Sequence, residues 1–418
     1  MNIEKTDEIG LRRKLFRLFD KAKSIPQILK LVPRSRSWIY KWQKRFELFG
    51  LAAAQGAKKT PHHSPHAYPS AVVRTILSLR QRLQKERVGL VGAKAIRREL
   101  KRRRLVTHLP SLSTINRLLK AHGLIGTATS ETAEKFYPWV RTDGEAVFHS
   151  LDWMLRYITG GAKVFIFHTI DMNTHALAQT LSRDKSTEAV INHALSVWQQ
   201  LGVPDFLHID NDAAFTGLGK SPRVFGRFVR LALSFGIELI FIPPGEARRN
   251  HLVEGVNHLF AQSFWDKNEF SSVRDVERKR GRFLAWYASY EPPALGGVSV
   301  QQANRKVGRR RLTQKEIERV PDLLPLTKGR IHFVRKVDSR GEIEILKERW
   351  KVSRRLVNCY VWATLSTAPR RLHIYHRSSA RAAVKLIKEY DYDVGERVVP
   401  LPDCYRRRRR AIKVANLI

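Results

Sequence analysis

Three acids stand at the ends or centres of apolar runs in a chain that is otherwise strongly basic. Asp152 lies within Phe148-His149-Ser150-Leu151-Asp152-Trp153-Met154-Leu155, which has the composition of a core strand. Asp210 closes a second such run, Phe206-Leu207-His208-Ile209-Asp210. Glu254 follows a third run, Glu238-Leu239-Ile240-Phe241-Ile242-Pro243-Pro244, and falls on a helix candidate that also holds Asn250. A carboxylate at a strand end is rigid on one side and open on the other. Two of these with one from a facing helix can hold hard cations through oxygen ligands. Two such ions, about 3.5–4 Å apart, stabilise both the attacking and the leaving oxygen of an in-line phosphoryl displacement. The expected cofactor is therefore Mg2+ or Mn2+, two per active site, on Asp152, Asp210 and Glu254.

Neighbouring polar residues read differently. Asp212 is more simply a turn-capping residue than a ligand. Glu246 precedes the last helix without the accompanying Asn, and Asp171 caps a turn before Asn173. His168, in mid-strand, reads as a satisfied core histidine. Asn211 and Asn250 read as fixing loop or substrate geometry. Cys359 and Cys404 are too few for a disulfide framework or a cysteine zinc site. His62, His63 and His66 sit among Pro and Ser, as in a solvated linker.

The elements that must carry the acids follow from the pattern around them. Strands are expected over 146–157, 162–171 and 176–181, with Gly160-Gly161 turning the first hairpin. Helices are expected over 187–201, 223–235 and 249–265, alternating with strands at 206–210 and 238–242. Three antiparallel strands followed by alternating helices and strands make a mixed α/β sheet covered by helices. Beyond it, 273–288 reads as a basic helix, and residues up to 328 as an irregular connector with Arg309-Arg310-Arg311 exposed. Short strands from 329 to 376, with Gly341 at a turn, suggest a small barrel. The end of the chain reads as a basic tail containing Arg406 to Arg410.

Composition sets the partner. The chain has 418 residues, with 77 Lys and Arg against 38 Asp and Glu, for a net charge of +39. So positive a chain repels itself unless a polyanion neutralises it, and nucleic acid is the first candidate. No apolar run is long enough to span a membrane, and the N-terminus lacks a signal-peptide core, so a soluble intracellular protein with no membrane partner is expected.

Two helical units precede the acids. Over 7–49 the last of three short helices starts at the N-cap Ser35. It sets Trp38, Ile39, Trp42 and Phe46 on one side against Arg36, Lys41, Lys44 and Arg45 on the other. Over 70–125, Arg97, Arg98, Arg102 and their basic neighbours crowd one helix. A second capped helix carries Ser113, Asn116 and Arg117. Each unit has the pattern of a helix-turn-helix, whose second helix enters the major groove with basic residues on the phosphates. The expected DNA contacts are Lys41, Lys44, Arg45, Arg97, Arg98, Arg102, Ser113, Asn116, Arg117 and Asn250.

At this point the residues resemble a known family. His208-Ile209-Asp210-Asn211-Asp212-Ala213-Ala214-Phe215 resembles the Asp-Asn-Gly-x-x-Phe signature of retroviral-integrase-like catalytic cores. Pro243-Pro244 followed by Asn250-His251-Leu252-Val253-Glu254 resembles that superfamily's Pro…Asn-Gly-x-x-Glu signature, and Leu151-Asp152 its first-strand Asp. The layout is similar to that of bacterial insertion-sequence transposases of the DDE class. Asp212 and His251 replace the usual glycines, and Tyr290-Glu291-Pro292-Pro293 is a reduced form of a following family segment. The Asp210-to-Glu254 spacing exceeds the shortest in the family, which the 217–222 stretch would account for. No His/Cys zinc module precedes the core.

The resemblance implies a multidomain protein. Helix-turn-helix units at 1–50 and 70–126 are joined by a linker at 51–69. A second linker at 127–145 leads to a ribonuclease-H-like core at 146–270. A basic connector at 271–328, a small β-barrel at 329–378 and a basic tail at 379–418 complete it. The reaction it implies is hydrolysis of a phosphodiester at an element's end, then strand transfer of the 3′-hydroxyl into target DNA, with no covalent protein intermediate. Double-stranded DNA, at least a homodimer on that DNA, accessory transposition proteins and a bacterial cytoplasmic location come with it. The alternative is a catalytically inactive transposon-derived DNA-binding regulator. A ribonuclease or junction resolvase with a similar core is a third reading, but it would lack the tandem helical units.

Overall fold

The computed structural model describes residues 3–55, 68–125, 135–142, 145–217, 223–402 and 412–418. The cluster of His62, His63 and His66, Cys404 and the arginines at 406–410 lie outside these residues. The chain divides into two units, 1–70 and 71–418.

In the first unit, helices α1 (Ile3–Asp20), α2 (Ile25–Leu31) and α3 (Arg36–Phe49) enclose a core of Leu15, Phe16, Ile28, Val32, Ile39 and Trp42. The Ser35 hydroxyl starts α3 by accepting from the Trp38 N–H at 3.3 Å, satisfying a donor that the helix leaves free. Residues 39, 42 and 46 recur at helical spacing and turn inward, which leaves Arg36, Tyr40, Lys41 and Lys44 exposed.

The second unit opens with α4 (Ser70–Lys85), α5 (Ala93–Arg102) and α6 (Leu112–Ala121), packed around Ile76, Leu79, Leu83, Ile96, Leu100, Ile115 and Leu119. The Ser111 hydroxyl caps α6 as Ser35 caps α3, accepting from the Thr114 N–H at 3.1 Å. Hydrogen bonds fasten this helical subunit to later residues: Gly89 N–H to Ser263 O at 3.0 Å, Lys267 Nζ to Leu83 O at 3.1 Å.

Strands β1 (Phe148–Tyr157), β2 (Lys163–Asp171) and β3 (Leu177–Ser182) form an antiparallel meander. Gly160 and Gly161, with φ of 87° and 80°, make the first turn in a conformation that costs glycine little. Then come α7 (Thr187–Gln200), β4 (Phe206–Ile209), α8 (Ala213–Thr216), α9 (Arg227–Ser234), β5 (Glu238–Phe241) and α10 (His251–Ser263). Strand β4 pairs in parallel with both β1 and β5. Successive strand residues face opposite ways. His168 meets Asn257 of α10 while Thr169 meets His193 of α7, so α10 and α7 cover opposite faces of the sheet.

The segment read as a connector carries α11 (Val273–Ala288), α12 (Val300–Arg305) and α13 (Gln314–Glu318). Arg309, expected to be exposed, is instead largely buried and pairs with the buried Asp171 at 3.1 Å. Arg310 and Arg311 stay exposed as expected, although the Arg310 carbonyl accepts from the Val203 N–H at 2.8 Å.

The expectation of a separate small barrel is corrected by the strands that follow: β6 (Leu326–Thr327), β7 (Arg330–Lys336), β8 (Glu342–Ile345), β9 (Glu348–Lys351), β10 (Tyr360–Ser366), β11 (Arg371–His376), β12 (Lys385–Asp391) and β13 (Val398–Val399). Strand β7 lies parallel to β5, with Leu239 opposite Ile331 and Phe241 opposite Phe333. The result is one nine-stranded open sheet, ordered β3-β2-β1-β4-β5-β7-β10-β11-β12. The physical reason is the edge of β5, which would otherwise present unpaired backbone and an apolar face. Phe241 and Phe333 stack with ring centroids 5.3 Å apart across that junction. Part of the expected basic tail is thereby structured, since β12 forms the far edge. A short last helix, α14 (Val414–Leu417), is buried against the Phe148 and Trp362 cluster.

Candidate active site

Asp152 sits on β1, opposite His168 of β2. Its Oδ1 accepts from the Trp153 N–H and its Oδ2 from Asn257 Nδ2, each at 2.8 Å. Burial pushes this carboxyl up to about 7, and the charges of Asp210 and Glu254 add to the rise. The two hydrogen bonds oppose it. Asp210 follows directly after β4. Burial raises its pKa too, assisted by Asp212, while its Oδ1 accepts from the Asp212 N–H at 2.9 Å. Glu254 is exposed in the first turn of α10. The three sequence candidates thus come from β1, the end of β4 and the start of α10, with Asp152 within electrostatic reach of the other two.

A directed hydrogen-bond chain runs to Asp152. Gln179 Nε2 donates to His168 Nε2 at 2.6 Å, His168 Nδ1 donates to Asn257 Oδ1 at 2.6 Å, and Asn257 Nδ2 donates to Asp152. Burial holds His168 down at about 4, so it is neutral and able to accept on one nitrogen while donating from the other. Asn257 was not singled out in the sequence. Its one signal is the spacing of three residues from Glu254, which places both on one helix face.

Asn250, expected at the DNA, is buried, and its polar atoms are engaged within the chain. Its Oδ1 accepts from the Ser150 hydroxyl and from His208 Nδ1, and its Nδ2 donates to Leu151 O at 3.1 Å. It ties β1, β4 and the entry to α10 together.

Asn211, next to Asp210, donates to Ile242 O at 2.5 Å and accepts from Arg335 Nη2 at 2.8 Å. Arg335 belongs to β7, and burial pushes its guanidinium down to about 10. Asp212 caps α8, accepting from the Ala214 N–H at 2.9 Å, and pairs with Lys185 at 2.7 Å. Glu246 is held by Arg249 and by the Tyr360 hydroxyl. Asp171 accepts from the N–H groups of Asn173 and Thr174, as a turn cap does.

Three carboxylates are a hard-oxygen donor set of the kind that divalent cations take, and the raised Asp152 is a charge that a cation would relieve. Among the described residues, no group of three or more His, Cys, Asp or Glu is close enough together to hold a metal ion. The acids are neighbours, not a closed cage.

The remaining expected DNA contacts separate into two groups. Lys41, Lys44, Ser113, Asn116 and Arg117 are exposed. Arg45 lies over the Trp42 ring, 4.9 Å from its centroid. The arginines of α5 are exposed too but have partners within the chain: Arg97 with Pro110 O, Arg98 with Ser289 O, and Arg102 with both oxygens of Glu99. No described helix is long and apolar enough to cross a membrane.

No family model matches the chain. Among solved structures it is similar to the HTLV-2 integrase catalytic core domain in complex with magnesium, at 16% identity over 38% of this chain and 95% of that one, with a TM-score of 0.29. It is also similar to the BIV integrase catalytic core domain, at 16% identity over 38% and 93%, TM-score 0.28. A simian T-cell lymphotropic virus intasome, in complex with the PP2A regulatory subunit B56 gamma, aligns at 13% identity over 71% and 92%, TM-score 0.28. Scores of this size assign neither family nor activity.

Proposed function

We propose that the chain is a metal-dependent DNA transposase that hydrolyses a phosphodiester at an element's end and joins the 3′-hydroxyl to target DNA. The observation that carries this reading is the placement of Asp152 on β1, Asp210 at the end of β4 and Glu254 in the first turn of α10, with Asp210 and Glu254 close enough to Asp152 for their charges to raise its pKa. These residues would hold Mg2+ or Mn2+, which when bound supplies Lewis-acid activation of the attacking oxygen. Asn257 orients Asp152 and favours its ionised form. The Asp212 backbone and Asn211 fix the loop that carries Asp210. The exposed faces of α3 and α6 would read DNA, and the net charge of +39 suits a polyanion. Joining two ends calls for two active sites, hence at least a dimer on DNA.

The test is incubation with linear duplexes carrying the sequences that flank the coding region, with Mg2+ or Mn2+, followed by sequencing of the products. Nicks at one fixed position and joined 3′ ends support the reading. DNA binding without cleavage would favour the second reading, a catalytically inactive DNA-binding regulator.

A further inference from the structure

A cavity of about 560 Å3 is lined by residues of β1, β4 and the entry to α10, the elements that carry the acids. It lies within the size range of small-molecule sites, about 300–1,000 Å3. Its floor is Ser150, His208 and Asn250, its wall is Trp139, and Arg248 and His251 stand around it. Ser150 and Asp152 are two residues apart on β1, and His208 precedes Asp210 by two at the end of β4. The floor is therefore displaced from the acids by about 7 Å along the strands, on the same face of the sheet.

The floor accepts hydrogen bonds. Asn250 Nδ2 is given to Leu151 O, so its Oδ1 is the acceptor and His208 Nδ1, at 2.9 Å, is the donor. The imidazole lone pair then sits on Nε2, which has no partner among the described residues. The Ser150 hydroxyl also gives its proton to Asn250 Oδ1, leaving its own lone pairs free to accept. A ligand that fits must bring N–H donors.

The wall is aromatic and propped. Trp139 is 40% exposed and meets His251 edge to face, with centroids 4.7 Å apart at 85°. Its other neighbour, Tyr137, stands 4.5 Å away by centroid, with the buried Arg249 guanidinium 4.3 Å from the Tyr137 ring. An exposed indole held in place offers a face on which a flat ring can stack.

We infer that this cavity takes an unpaired nucleobase with an N–H donor edge, drawn from DNA held at the acids. The inference rests on the proposed function for the identity of the polymer. Extruding a base from a duplex costs stacking and pairing energy, least where the base is already unpaired. The occupant is accordingly a terminal or mismatched base beside the reacting phosphodiester.

The experiment measures binding alone, in chelator. A duplex carrying one unpaired 2-aminopurine, whose exocyclic amine is a donor, is compared with the same duplex fully paired. The full chain should bind the unpaired form about tenfold more tightly, as one stacked base warrants, and quench its fluorescence. Trp139→Ala and Val140→Trp, the second filling the cavity, should each bring the affinity down to that of the paired duplex and restore the fluorescence. Trp139→Phe should keep most of the preference. Equal affinity for the two duplexes overturns the inference, as does a preference that survives both disabling variants. Because no cleavage is read, failure here leaves the transposase reading standing, and failure of cleavage leaves a measured base preference standing.

Discussion

Arg335 Nη2 donates to Asn211 Oδ1 at 2.8 Å, so a strand far along the chain holds the residue next to Asp210. The same guanidinium donates to Ile242 O and Glu344 O at 3.0 Å. The C-terminal strands therefore reach into the loop that aims an acid. Arg335→Met should leave Asn211 Oδ1 without its donor, at about 1–3 kcal/mol for a buried group stranded, while Ile242 O keeps the Asn211 amide. Denaturant unfolding should show the loss. Asn211→Ala in the same background should cost less than it does alone, because the two residues share one hydrogen bond. Strict additivity in that double-mutant cycle would show that the contact is not coupled to stability.

Asp152→Asn, Asp210→Asn and Glu254→Gln should each bring cleavage and strand transfer to background while leaving DNA affinity and fold largely intact, since each keeps the shape and removes a hard anionic ligand. Asp212→Asn should retain activity, because Asp212 caps α8 and pairs with Lys185. Gel assays of end cleavage with each variant decide this. Near-normal turnover in any of the first three removes that residue from the site.

The elements that carry the three acids were legible in the sequence, because local periodicity specifies them. Strand alternation around Asp152, the run closing at Asp210 and the helix holding Glu254 each need only neighbouring residues. What was not legible depends on distant pairing. Nothing near β7 announces that it will lie parallel to β5, so Ile331 and Phe333 read as barrel residues. Arg309 looked like one more solvated arginine because its partner, Asp171, is remote in sequence. Asn250 was assigned by residue type, whereas its place is fixed by Ser150, His208 and Leu151, which it joins.

Asn257 offers a pH test. Its donation to Asp152 Oδ2 favours the carboxylate and lowers its pKa. Asn257→Leu keeps the volume and removes the donor, so the pKa should climb further. The acidic limb of the metal-dependent rate profile should then move to higher pH, with activity near neutrality reduced about 10–100-fold, as is usual when a partner of a metal ligand is lost. A uniform loss at all pH values, with the limb unmoved, would mean that Asn257 acts by packing alone.

Asp152 itself should shape stability in the absence of metal. Its folded pKa, at about 7, lies above the ordinary 3.8, so the folded state holds this proton more tightly than the unfolded chain does. Stability therefore falls as pH rises from about 4 towards 7, and Asp152→Asn should remove that part of the fall. In chelator, the variant should melt a few degrees above the parent at pH 8 and close to it at pH 4. Added Mg2+ should raise the parent's Tm and leave the variant's nearly unchanged. Superimposable melting curves at both pH values would contradict the charge coupling at this site.

The junction of β5 and β7 yields the last test. If 329–402 were an independent module, a chain ending at Lys328 would keep a folded core. The sheet order says otherwise: removing β7 bares the edge of β5 and unstacks Phe241 from Phe333. The same cut removes Arg335 from Asn211, and His332 and Arg330 from Glu238. The truncated chain should be insoluble, or soluble but rapidly cleaved by protease across β4 and β5, while the full chain resists. Phe333→Ala isolates the packing part and should cost about 3–5 kcal/mol in denaturant unfolding, as a large aromatic removed from a core does. A truncated chain that melts cooperatively near the parent's Tm would show that the sheet's two halves fold separately. Arg335 would then be a visitor to the Asp210 loop and not part of its frame.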